Sequence, residues 1–138
     1  MMGVFTCCCY RDLENNKISR IEPGWVEKLK VEHLTLSYNN LRSIGPSAFE
    51  GATIARLTLK GNHQLTGLHP NAFAGIESLR QLDLSETAIT TLPTHGLKHL
   101  EILRLQRTPS LTVIPSIYHF EARVLAMKKY DLYQFITQ

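Results

Sequence analysis

Three stretches decide the reading of this chain: VEHLTLSYNNLRSI (residues 31–44), IARLTLKGNHQLTGL (54–68) and LRQLDLSETAITTL (79–92). Each carries the same apolar ladder, Leu-x-x-Leu-x-Leu-x-x-Asn-x-Leu-x-x-Leu, with Ile or Val at some rungs and Thr in the Asn slot of the third. Aligned on the last Leu of Leu-x-Leu, copies fall at Leu13, Leu36, Leu59, Leu84 and Leu105. The spacings are about 23, 23, 25 and 21 residues, the length of one repeated unit that must stack on its neighbours to bury its apolar edge.

Each slot has a physical reason. In Leu-x-Leu both leucines point to one side of a short strand and the residues around them to the other. Three residues on, the chain leaves the strand at Asn16, Asn39, Asn62, Thr87 and Thr108. Backbone groups there lack ladder partners, and an Asn side chain both donates and accepts, so successive copies predict a polar ladder along the stack. Threonine does part of that work, with one donor and no amide. The next apolar rungs are Ile18, Leu41, Leu65, Ile89 and Leu111, then Ile21, Ile44, Leu68, Leu92 and Ile114. An extra residue before Leu65 and before Leu111 predicts a bulged loop. Trp25, Phe49, Phe73, Leu97 and Ile117 are expected to line the convex side. The fold class is an α/β solenoid: a leucine-rich-repeat horseshoe of about five to six repeats, with a concave parallel sheet and a mostly irregular or short-helical convex side.

The domain reading is an uncapped N-terminal segment over 1–12, repeats over 13–120, and a tail over 121–138. Within that tail Ala122, Leu125, Met127, Tyr130, Leu132 and Phe135 fit the ladder, with Tyr130 in the bend slot. Two readings stay open there, a degenerate terminal repeat and a non-native tail. Arg11 stands where a rung leucine belongs. Solenoid ends need caps, and none is evident at either end, so the chain reads as a piece of a longer protein or an incomplete product.

Composition narrows the function. The chain has 138 residues, 43% of them hydrophobic, and a net charge of +3. Its 15 Lys and Arg are scattered, without the basic run and interleaved aromatics that nucleic acid demands. No run of 18 apolar residues marks a membrane span. MMGVFTCCCY has neither the basic start nor the long apolar core of a secretory signal. Cys7, Cys8 and Cys9 are adjacent, which disfavours bonding among themselves. A free apolar cluster, a remnant of a cysteine-rich cap and palmitoylation are all open. His95 and His99, in THGLKH, have helical i,i+4 spacing but no third ligand, so no metal is expected. No nucleophile or nucleotide-binding motif occurs, and the carboxylates read as solvated surface, so no catalytic residue and no cofactor is expected.

Function is expected on the concave face. Its rows are Tyr10, Asp12 and Glu14; His33, Thr35 and Ser37; Arg56, Thr58 and Lys60; Gln81, Asp83 and Ser85; and Ile102, Arg104 and Gln106. Tyr38, Glu86 and Arg107 add a column just beyond the strands. The candidate contact residues are those from His33 onward, Ile102 excepted. Charge alternates between rows, a pattern that selects a protein partner of matching charge. Arg56, Tyr38, Arg104 and Arg107 rank first, because Tyr and Arg concentrate at interface centres.

The stretch LDLSETAITTLPTHGLKHLEILRLQRTPSLTVIP (82–115) carries more than the generic ladder. Thr occupies two successive bend slots, Pro93 and Gly96 stand in LPTHGLKHLEIL, an inserted residue precedes Leu111, and Ile114-Pro115 follows. In these features the chain, over roughly residues 13–120, resembles the ectodomains of the glycoprotein-hormone receptors, the leucine-rich-repeat G-protein-coupled receptors for follitropin, lutropin and thyrotropin and their invertebrate relatives. The resemblance implies the recognition part of a longer receptor, on the extracellular side of the plasma membrane. Its partner would be a cystine-knot glycoprotein hormone taken on the concave strand residues. The chain departs from that pattern where EARVLAMKKYDLYQFITQ follows Phe120 in place of a cysteine-rich box, and in having no Asn-x-Ser/Thr sequon. A leucine-rich adhesion or adaptor module unrelated to hormones, and a non-functional receptor fragment, are the alternatives.

Overall fold

The computed structural model describes residues 8–111 except 77, 94 and 98. Seven strands follow in chain order: β1 (Cys8–Asp12), β2 (Lys30–Thr35), β3 (Ser43–Ile44), β4 (Thr53–Thr58), β5 (Gly67–Leu68), β6 (Gln81–Asp83) and β7 (Ile102–Arg104). Five of them form one parallel sheet in the order β1-β2-β4-β6-β7, one strand per repeat. β3 and β5 pair as a second, two-stranded parallel sheet. Every other described residue lies in turns or irregular chain, so the convex side is built without helix. This is the expected horseshoe.

The core stacks like with like. Leu34, Leu57, Leu82 and Leu103 are register partners across the sheet, and Leu36, Leu59, Leu84 and Leu105 follow two residues on. All eight are buried. Ile44, Leu68 and Leu92, and Leu41, Leu65, Ile89 and Leu111, close the next layers. Neighbouring units thus bury each other's apolar edges, and a single unit has no core of its own.

The structure shifts one expectation. The convex apolar spine begins at Val26, fully buried, whereas Trp25 beside it is exposed. Phe49, Phe73 and Leu97 continue the spine as expected, with Phe49 and Phe73 stacked at 5.8 Å. Spacing identifies the reason: Val26 follows Leu13 by the interval that separates Phe49 from Leu36. The slot needs one apolar side chain pointing inward, and aromatic character is secondary. The first concave row forms as expected, since Tyr10, Arg11 and Asp12 pair with His33, Leu34 and Thr35. Arg11 therefore does occupy a leucine rung, and its Nε is buried without a hydrogen-bond partner among the described residues. The side chains of Cys7 to Cys9, the convex Ile117 and the proposed sixth repeat lie outside the described residues.

The bend ladder forms as Asn chemistry requires. The Asn39 amide donates to the carbonyls of Leu36 (2.9 Å) and Ser37 (3.3 Å) in its own repeat and to Leu13 (2.9 Å) in the one before. Its Oδ1 accepts the Ile18 N–H at 3.1 Å. Asn62 repeats the arrangement with Leu59, Leu36 and the Leu41 N–H. Thr87 and Thr108 donate only to Leu84 and Leu105, within their own repeats. Both insertions close the same tight turn, with the Leu65 N–H donating to Asn62 and the Leu111 N–H to Thr108.

Candidate functional site: the concave sheet face

Strand register sets the side chains of the concave face in columns. Tyr10, His33, Arg56, Gln81 and Ile102 are successive partners, and so are Asp12, Thr35, Thr58, Asp83 and Arg104. The ladder runs on past the strands. Leu13, Leu36, Leu59 and Leu84 donate to Thr35, Thr58, Asp83 and Arg104, and Asn15, Tyr38, Gly61 and Glu86 to Ser37, Lys60, Ser85 and Gln106. Glu14, Ser37, Lys60, Ser85 and Gln106 thus form a third column, and Asn15, Tyr38, Gly61, Glu86 and Arg107 a fourth.

The second column has work of its own. Asp12 Oδ1 accepts the Glu14 N–H, Thr35 Oγ1 the Ser37 N–H, Thr58 Oγ1 the Lys60 N–H and Asp83 Oδ1 the Ser85 N–H. Each is a short polar side chain capping the backbone two residues on, a turn that Asp and Thr favour. Arg104 has no acceptor, and the Gln106 N–H donates instead to Ser85 Oγ of the preceding repeat at 3.1 Å. Thr35, Ser37 and Thr58 are linked through their hydroxyls at 3.1 Å. Of the predicted contact residues, Thr35, Ser37 and Ser85 are thereby buried, at 3%, 4% and 2% exposure. They hold the floor of the face together and offer little surface to a partner. Asp or Thr recurring at the last residue of the strand, two residues before the capped N–H, is the sequence signal of this role.

The fourth column turns the chain. Asn15, Tyr38, Glu86 and Arg107 have φ of 59°, 57°, 56° and 56°, and Gly61 has 81°. This left-handed step costs non-glycine residues on the order of 1 kcal/mol or more, and it swings the following bend residue under the strand. Gly61 is required twice over: a Cβ there would sit 2.3 Å from the Tyr38 ring, which lies across the bare backbone. Glu86, with its side chain 17% exposed, is a joint between three repeats, reaching Lys60 Nζ at 3.6 Å and Arg107 at 3.5 Å. Glu86 and Arg107 share the fourth column and Lys60 stands one position earlier, in the third, so repeat spacing alone did not mark that joint.

The centre of the face is a shallow depression lined by His33, Arg56, Thr58, Gln81, Asp83, Ile102 and Arg104. His33 meets Tyr10 edge to face at 5.0 Å. Partial burial, and next the Arg56 charge, push the His33 imidazole below the ordinary histidine value, while Asp12 and Glu32 pull it back. At the strand entrance Arg80 pairs with Glu32 at 3.5 Å, over the small Ala55. Arg56 is exposed and Arg104 half-buried, and neither makes an ion pair or hydrogen bond among the described residues. The site thus brings Arg56, Arg104, Gln81, Asp83 and Thr58 together. Lys60 and Arg107 are engaged by Glu86 on its flank. His95 and His99 are exposed on the opposite, convex side. No helix among the described residues is long and apolar enough to cross a membrane.

Comparisons with known proteins agree with this architecture. The leucine rich repeat family matches residues 12–63 and 52–109. The follicle-stimulating hormone receptor of Cavia porcellus is 37% identical over 97 residues, covering 70% of this chain and 14% of the receptor. That of Bos taurus is 34% identical over 122 residues, 86% of this chain and 18% of the receptor. The lutropin-choriogonadotropic hormone receptor of Gallus gallus is 29% identical over 119 residues, 85% of this chain and 16% of the receptor. The chain thus spans between 14% and 18% of the length of these relatives. The resemblance to glycoprotein-hormone receptors holds over most of the sequence, and the chain belongs to the leucine rich repeat family.

Proposed function

We propose that this chain is the protein-hormone-recognition segment of a receptor ectodomain and takes its ligand on the concave strand face. The observation that carries the reading is the similarity to follicle-stimulating hormone and lutropin receptors over 70–86% of the chain. An exposed face of charged and aromatic side chains, on a solenoid whose polar turns are satisfied internally, supports it. The ligand would be a cystine-knot glycoprotein hormone. The working location would be the extracellular side of the plasma membrane, with coupling to a G protein carried by other parts of a longer receptor. Nothing in the face is arranged for bond-making chemistry, and binding is the function it suits.

The test is direct binding of the purified chain to follicle-stimulating hormone and to lutropin by biolayer interferometry. Binding to at least one is expected. It should be abolished by Gln81→Trp, which places a large ring at the centre of the face, and unchanged by His95→Trp on the convex side. Failure to bind either hormone, or loss through the convex variant alone, would sink the reading in favour of an interaction module for another protein.

A further inference from the structure

The charges of the concave face are unevenly spent. Arg80 is engaged by Glu32, and Lys60 and Arg107 share Glu86. Asp83 lies on the strand between β4 and β7 and is held by the Ser85 N–H. Arg56 on β4 and Arg104 on β7, both lining the same depression, have no carboxylate partner and no side-chain acceptor among the described residues. Their strands are two spacings apart, about 10 Å across the sheet. A planar guanidinium with nothing bound is an open two-pronged donor, matched in shape to a carboxylate. Glutamine at 81 adds neutral donors and acceptors between them, and Asp83 makes the middle of the depression unfavourable to further negative charge.

We propose that this depression recognises a protein segment bearing two separated carboxylates, one seated on Arg56 and one on Arg104, with a neutral or basic group over Asp83. The inference deepens the concave-face reading and rests on it. Glu86 sharpens the selection. Shared between Lys60 and Arg107, its single negative charge halves the net positive charge of that flank, which lowers the advantage an evenly acidic surface has over a correctly spaced pair.

The experiment uses the full chain and the blocked peptide Glu-Gly-Gly-Gly-Glu, followed by chemical-shift titration, with the Gln-Gly-Gly-Gly-Gln peptide as control. Saturable shifts centred on Arg56, Gln81 and Arg104 are expected with the first peptide only. Arg56→Gln and Arg104→Gln should each weaken it about fivefold, the worth of one exposed ion pair, while Lys60→Gln and Arg107→Gln stay within about twofold. Circular dichroism checks that each variant keeps its strands. No saturable shift, equal binding of the Gln peptide, or equal losses at Lys60 and Arg107 would overturn the proposal. Hormone binding is read separately. Hormone binding without peptide selectivity defeats the carboxylate inference alone, and peptide selectivity without hormone binding defeats the hormone reading alone.

Discussion

At the scale of single residues, the bend slot separates what Asn can do from what Thr can. Asn39 is 5% exposed and serves the carbonyls of Leu13, Leu36 and Ser37 together with the Ile18 N–H, tying two repeats. Thr87 serves one carbonyl, that of Leu84. Removing a buried partner leaves the backbone groups desolvated and unpaired, at about 1–3 kcal/mol. Asn39→Ala is therefore expected at the top of that range, and Thr87→Val at the bottom, since it orphans one acceptor and keeps the shape. Urea unfolding of the two variants decides it, and equal costs would deny the cross-repeat role of Asn39. The slot itself is plain in the sequence. The number of bonds each occupant makes is not, because it depends on how closely the preceding turn approaches.

At the scale of elements, parallel strands stacked in register make each column a line of contacts between repeats. His33 shows the consequence. It sits beside Arg56 in its column, against Tyr10, and its imidazole is held below the ordinary value by burial and by that arginine. A base whose folded value is lowered binds its proton more readily in the unfolded chain. Its contribution to stability is then complete above the ordinary value and is lost as pH falls through the folded one. Titration of the His33 ring by nuclear magnetic resonance should give a midpoint below 6.5, the ordinary value, and Arg56→Gln should raise it. An unchanged midpoint would remove Arg56 as a cause. The columns were legible from the ladder spacing, because one register recurs at every strand. Three predicted contact residues nonetheless turned out to be buried. Thr35, Ser37 and Ser85 are small, and hydroxyl bonds to their neighbours draw them under the surface.

At the scale of the whole molecule, stability is the sum of interfaces between neighbouring repeats, since each unit touches only the next. Leu59 is fully buried between the Leu36 and Leu84 rungs. Leu59→Ala should cost roughly 2–5 kcal/mol in chemical unfolding, the range for a cavity in a packed core. Hydrogen exchange should speed up most in β2, β4 and β6 and least in β1 and β7, each two repeats from the cavity. A near-zero cost, or exchange raised evenly along the chain, would contradict a stacked core. The same one-dimensional build explains Arg11. On the first described strand it fills a leucine rung, and its Nε finds no acceptor among the described residues.

The sequence by itself determined the solenoid, the concave sheet, its columns and the bend ladder. All of these follow from periodicity: one spacing of apolar and amide residues, repeated, has one way to stack. It missed the convex spine by one residue, choosing Trp25 over Val26, because no strand alternation marks which neighbour points inward there. Only the tertiary structure decided which cations of the concave face are already partnered. Glu86 lies far in sequence from Lys60 and Arg107 and meets both only after three repeats have stacked. Pairing between repeats depends on side-chain reach across the sheet, a distance that spacing along the chain does not encode, and it is that pairing which leaves Arg56 and Arg104 open.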